Sequence, residues 1–255
     1  MFEILNDIIK PVRHFDNFSH YKGKIRYLMY KDLPDFTGGY NSVKTYKYKK
    51  YLFKIAQSSS DEDVIFSIYK SNICFILKID LNNKTKAILE GFGNNPKCST
   101  PELPKDGGGT IMMKFLLKFI KKHHPYITII ELCDNSMINC KDSKINLSSL
   151  YILTTGNTWY GKFGFTPQNK LNKQAYKKNV KIMKITKTKD ILQKHKIKNM
   201  DEFKNSNNLL KDDLKSIFKT DCYKYFELEK QLFYLLNLTN MFGELFILDM
   251  TKCKI

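Results

Sequence analysis

Asp106-Gly107-Gly108-Gly109-Thr110 runs directly into the apolar, lysine-striped stretch Ile111 to Lys122. Consecutive glycines let a backbone approach a bulky ligand, and the first turn of a following helix presents N–H groups that have no intrahelical partner. Such a turn suits phosphate, held by amides and by the positive end of the helix dipole. Thr110 can add a hydroxyl donor. A second cluster, Trp159-Tyr160-Gly161-Lys162-Phe163-Gly164-Phe165, combines packed aromatics with a lysine and two glycines. Glu90 stands on the otherwise apolar run Ala87 to Phe92, where a carboxylate is costly unless it faces solvent or is used. Glu131, inside the apolar run Tyr126 to Cys133, is its rival.

The elements that must position these groups are legible in outline. Val43 to Ile55, Val64 to Tyr69, Ile73 to Ile79 and Thr85 to Phe92 are rich in β-branched and aromatic residues and separated by turn signals, the pattern of an antiparallel meander. Gly91 and Gly93 around Phe92 predict a bulge or a splayed strand end. Pro96, Pro101 and Pro104 make 94–106 a loop. In the run 111–122, lysines 114, 118 and 122 mark one side and apolar residues the rest, which predicts a helix packed on a sheet. Tyr126 to Cys133 reads as a central strand buried on both faces, Asn135 to Leu147 as a polar insertion, and Ser148 to Thr155 as a second helix. A loop of Pro167, Asn169 and Asn172 leads to an expected last strand, Val180 to Ile185. Beyond Lys187, helices are expected at Leu209 to Phe218 and Tyr223 to Leu236, and a short strand at Glu244 to Met250.

Composition narrows the function classes. The chain has 255 residues and a formal net charge of +18, nearly all of it before Thr188. A basic balance of this size invites a nucleic-acid partner, but Arg13 and Arg26 are the only arginines, and the guanidinium fork is the side chain suited to reading guanine and phosphate. The lysines, Lys114, Lys118, Lys121 and Lys122 included, therefore read as a solvated surface. No apolar run reaches the roughly 18 residues of a membrane span, so no membrane role is expected. Cys74, Cys98, Cys133, Cys140, Cys222 and Cys253 form no CxxC pair and are read as reduced thiols of a cytoplasmic protein. Cys133, Cys140 and His123-His124 come nearest to a metal cluster and read as strand and helix-end residues, so no metal is expected.

Meander, glycine turn into helix, buried strand, second helix, Tyr-x-Lys-x-Gly-Phe turn and last strand together resemble the GNAT superfamily of acetyl-CoA-dependent N-acetyltransferases. The resemblance covers about Val43 to Ile185. Where family members carry Gln/Arg-x-x-Gly-x-Gly/Ala, this chain has Pro104-Lys105-Asp106-Gly107-Gly108-Gly109, matching both glycine positions but with proline at the first. The second motif, Trp159 to Phe165, matches at every position.

The resemblance implies an α/β fold with a mixed, mostly antiparallel sheet flanked by helices, and acetyl-CoA wedged where the fourth and fifth strands diverge. Gly107, Gly108, Gly109 and Thr110 would hold the pyrophosphate, with Lys105 supplying the charge that Pro104 lacks. Backbone groups of Leu89, Gly91, Phe92 and Gly93 would pair with the pantetheine arm. Tyr160 would protonate the departing thiolate, and Glu90, Glu131 or a water would take the amine proton. Residues 1–42 are then a lead-in, 43–187 the acyltransferase domain and 188–255 a mostly helical extension, which packs on the sheet or forms a dimer surface. The expected partner is an amine, small molecule or protein. A fold retained without catalysis and a lysine-rich nucleic-acid binder are the competing expectations.

Overall fold

A computed structural model describes residues 42–69, 73–92, 103–104, 107–141 and 143–253. The lead-in up to Asn41, together with Gly93 and Lys105, lies outside these residues. The chain is α/β: one large, mixed, mostly antiparallel sheet flanked by helices.

Five antiparallel strands come first: β1 (Ser42–Tyr48), β2 (Tyr51–Ser59), β3 (Asp63–Tyr69), β4 (Ile73–Asp80) and β5 (Lys86–Phe92). The run Val43 to Ile55, read as one strand, is in fact two. They turn through Lys49-Lys50, with Lys49 at φ 54° and Tyr48 facing Tyr51. Lysine is not a turn-forming type, so nothing in the residue identities announced the reversal. Helix α1 (Gly108–His123) then crosses to β6 (Ile129–Cys133), which lies parallel to β5. A parallel neighbour cannot be reached by a tight turn, so the crossover helix is obligatory.

Alternation decides what is buried. Phe53, Ile55, Phe66, Ile68, Leu77, Ile79, Leu89, Ile130 and Leu132 all sit in the core. Met112, Met113, Phe115, Leu116, Phe119 and Ile120 of α1 meet them, with the Phe53 and Phe115 rings stacked at 3.9 Å and Phe66 edge-on to Phe119 at 5.6 Å. Each such side chain contributes roughly 1.5–3 kcal/mol.

After β6 comes a separate hairpin, β7 (Met137–Cys140) and β8 (Ser143–Asn146), where a polar insertion was expected. Helix α2 (Leu147–Thr155) and a short strand, β9 (Thr166–Pro167), follow. The expected strand Val180 to Ile185 is the end of a helix, α3 (Lys170–Ile185). Asn169 caps it, accepting from the amides of Leu171 and Asn172, and the buried residues Tyr176, Asn179 and Met183 recur at helical spacing. Helices α4 (Thr188–Lys194), α5 (Leu210–Thr220) and α6 (Cys222–Leu235) precede the last strand, β10 (Leu245–Asp249).

That last strand changes the reading of the carboxyl-terminal part. β10 lies between β6 and β9, antiparallel to both, giving the order β1-β2-β3-β4-β5-β6-β10-β9. Phe246 and Leu248 are buried in the same core. The described part of 188–255 thus joins the sheet through β10, and α3 to α6 form an insertion between two strands of that one sheet. Within the insertion, the buried Asp213 carboxylate accepts from Thr188, Ser206 and Asn208, which pins α4 and the following loop to α5.

Cys140 and Cys222 are joined in a disulfide across 82 residues, so the reading of all six cysteines as reduced thiols fails at these two. Tertiary structure brings their Cα atoms to 5.9 Å, which sequence spacing does not reveal. The bond ties the β7–β8 hairpin to the first residue of α6. Replacing both cysteines by alanine is expected to cost about 2–4 kcal/mol in denaturant unfolding. Adding a thiol reductant should bring the parent down to the variant; a gap that persists under reduction would assign the loss to packing of Cys140.

Candidate active site

The glycine turn forms the start of α1. Gly107 is the N-cap at φ 84°, a left-handed conformation that glycine adopts without steric cost, and a Cβ there would meet nothing within 4 Å. Gly108 is buried and donates to the Pro104 carbonyl, while the Ile111 amide returns to Gly107. Of the first-turn amides, those of Gly109 and Thr110 have no partner among the described residues. Both residues are half-buried.

The second motif meets this turn. Lys162 donates from Nζ to Thr110 Oγ1 at 2.9 Å, and its ammonium stands 4.5 Å from the centroid of the Trp159 ring. Burial, with Lys114 nearby, pulls the Lys162 ammonium below its ordinary range. A cation at the positive end of a helix, already partly desolvated, is placed where an anion would relieve it. The motif's glycines are structural. Gly164 has φ 96°, and a Cβ on Gly161 would collide with Tyr176, Asn157 and Thr158.

The end of β5 reaches the same place. Its parallel pairing with β6 runs only from Lys86↔Ile129 to Ile88↔Glu131. From Leu89 to Phe92 the strand has no partner on that side among the described residues, and Phe92 packs on Trp159 with centroids 5.4 Å apart. The expected irregularity is present one residue early: Gly91 faces Ile76 and Leu89 faces Leu77, so Glu90 is the extra residue of a bulge. Leu89 is a core residue, whereas Gly91 and Phe92 are half-buried.

The two expected bases differ in their surroundings. Glu90 is largely exposed, yet withdrawn enough for burial to push its carboxyl up; Lys78 acts in the opposite sense, and Asp63 in the same. It shares no partner with Tyr160 among the described residues. Glu131 is buried and held in an ion pair with Lys86 at 2.7 Å, with the Gln168 amide at 3.5 Å.

Tyr160 packs against Trp159. Its ring is edge-on to Trp159 at 4.9 Å, only 6% of its surface is exposed, and its hydroxyl is 3.4 Å from Ser136 Oγ. Burial, then the charge of Asp134, pushes the phenol well above its ordinary range, so it keeps its proton at any physiological pH. Asp134 was missed in the sequence. It is 1% exposed, just past β6, and burial lifts its carboxyl from 3.8 to about 6, opposed by the amide and hydroxyl of Ser136. The signal was parity: Asp134 continues the buried series Ile130, Leu132. Among the described residues no group of three or more His, Cys, Asp or Glu could hold a metal, and no helix is long and apolar enough to cross a membrane.

In comparisons with known proteins, no family model, curated protein or solved structure matches the chain.

Asp134 makes stability depend on pH in a defined direction. Its folded pKa of about 6 exceeds the unfolded 3.8, so the native state binds the proton more tightly, and stability falls as pH rises between those values. At pH 7 the ionised carboxylate costs on the order of 3 kcal/mol. Asp134→Asn keeps the acceptor for Ser136 and is expected to raise stability at pH 7 but not at pH 3.5. Urea unfolding at both values checks this; an equal effect at the two pH values would exclude the titration.

Proposed function

We infer that the chain is an N-acetyltransferase of the GNAT type, transferring an acetyl group from acetyl-CoA to a primary amine by direct attack. One observation carries this reading: Lys162 of the second motif donates to Thr110 in the first turn of α1, joining the two quoted motifs in one site. The Gly109 and Thr110 amides and the Lys162 ammonium form a donor set that fits a pyrophosphate, which also answers the proline at position 104. Lys162 takes up the charge that the family's Gln/Arg position would supply. The edge of β5 beyond Ile88, unpaired among the described residues, offers the backbone groups that a pantetheine amide needs.

Acetyl-CoA supplies an activated acyl group. The residues then divide the proton work. The amine nitrogen bonds to the acetyl carbon, the carbon–sulfur bond breaks, Tyr160 gives its proton to sulfur, and the ammonium proton leaves to a base or through water. Glu131, committed to Lys86, is a poorer base than Glu90 at its bulge or Asp134 beside Tyr160. The burial of Tyr160 favours one second reading, a retained fold in which this ring only packs.

Thermal unfolding with added CoA tests the site, because a ligand bound only to the native state raises the melting temperature. Gly109→Glu puts a carboxylate at the helix start and should abolish the shift; Gly108 is buried, so its replacement reports on folding instead. Tyr160→Phe should keep the shift, while acetyl transfer across an amine panel falls on the order of 10²-fold. A parent protein unmoved by CoA would end the acetyltransferase reading. Full turnover in Tyr160→Phe would assign the ring to packing.

A further inference from the structure

A cleft of about 800 Å³ lies between β8, the start of α2 and α6, away from the two motifs. Glu229 lines it. Burial pushes this carboxyl up, against the Ser149 hydroxyl and Lys230, and no ion pair includes it among the described residues. Ser149 Oγ also lies 3.3 Å from Asn240 Oδ1, so its single proton is shared between two acceptors. The Tyr225 hydroxyl, one helical turn from Glu229, is buried without a partner among the described residues, and the Glu229 charge helps hold its phenol up. Glu229 thus presents to the cleft a carboxylate with no ion-pair partner among the described residues, and a ligand ammonium would supply one.

The rest of the cleft grades outward. Phe226 and Phe233 form half-buried walls, and Lys144 and Lys230 are exposed at the mouth, the Lys230 Nζ lying 5.2 Å from the Phe226 centroid. A second ammonium would meet these lysines; an isolated anion would meet Glu229. The Cys140–Cys222 bond ties the hairpin carrying Lys144 to the head of the helix carrying Glu229.

We propose that this cleft binds a zwitterionic amine: a primary ammonium at Glu229, an apolar stem between Phe226 and Phe233, and a carboxylate at Lys144 and Lys230. The site is distinct from the CoA site and does not depend on the transferase reading. Its test is a calorimetric titration of the full chain with 6-aminohexanoate, 1,6-diaminohexane and hexanoate. The zwitterion should bind at least tenfold more tightly than either singly matched compound. Glu229→Gln, similar in shape, should erase that preference. The double variant Lys144→Glu/Lys230→Glu, altered only at exposed positions, should turn the preference to the diamine. Absence of binding by all three compounds, equal binding of hexanoate, or an unchanged preference in Glu229→Gln would each overturn the proposal.

Discussion

The parallel pairing of β5 with β6 lasts three residues and then stops, and the candidate site depends on that parting. Lys86 and Glu131 clamp the paired end with an ion pair. Beyond Ile88 the bulge at Glu90 adds local twist, and Phe92 leaves for Trp159 instead of a sixth-strand neighbour. Because the two strands are parallel, α1 must return antiparallel to them, so its first turn stands at the end where they separate. The glycine turn and the unpaired strand edge thus share one end of the sheet by topology. Trp159 then bridges them, packing against Phe92 and lying under the Lys162 ammonium.

Among the described lysines, Lys162 has a position that the general surplus of positive charge does not explain. Lys162 is itself largely exposed, but its ammonium lies over aromatic rings beside another cation, Lys114, and partial burial pulls it below its ordinary range. It also lies at the helix end where a positive group is electrostatically disfavoured. An aromatic platform and one hydroxyl acceptor offset only part of that cost. An anion bound between Lys162 and the amides of α1 would offset the remainder, which is why charge at this point says more than the net charge of the chain.

How much could be read in advance follows from how local each signal was. The glycine turn, α1 and β6 are set by short-range pattern, and α1 runs from Gly108 to His123 where a helix from Ile111 to Lys122 was expected. The lysine turn between β1 and β2 had no local mark. Val180 to Ile185 carries β-branched residues, so its propensity pointed to a strand; the Asn169 cap and the spacing of Tyr176, Asn179 and Met183 outweighed it. The placement of β10 beside β6 joins segments more than a hundred residues apart, as does the contact of its neighbour Gly243 with Asp134, and only tertiary packing decides such pairings. In the site, the motif residues were legible because their spacing is local. Asp134 and the disulfide were not, because each depends on what the fold brings alongside.

Three carboxylates withdrawn from water show how the same group is put to different uses. Asp213 accepts from three side chains supplied by the elements it joins, the satisfaction a structural carboxylate needs. Asp134 has only the amide and hydroxyl of Ser136, next to a buried phenol, and its carboxyl rises to about 6. Glu229 faces a cleft with the Ser149 hydroxyl and an adjacent lysine, and it too is raised. A carboxylate left short of donors destabilises the fold that contains it. Where the shortfall borders a phenol that can give up a proton, or a cleft that can admit a cation, the missing donor is one that a substrate or ligand can bring.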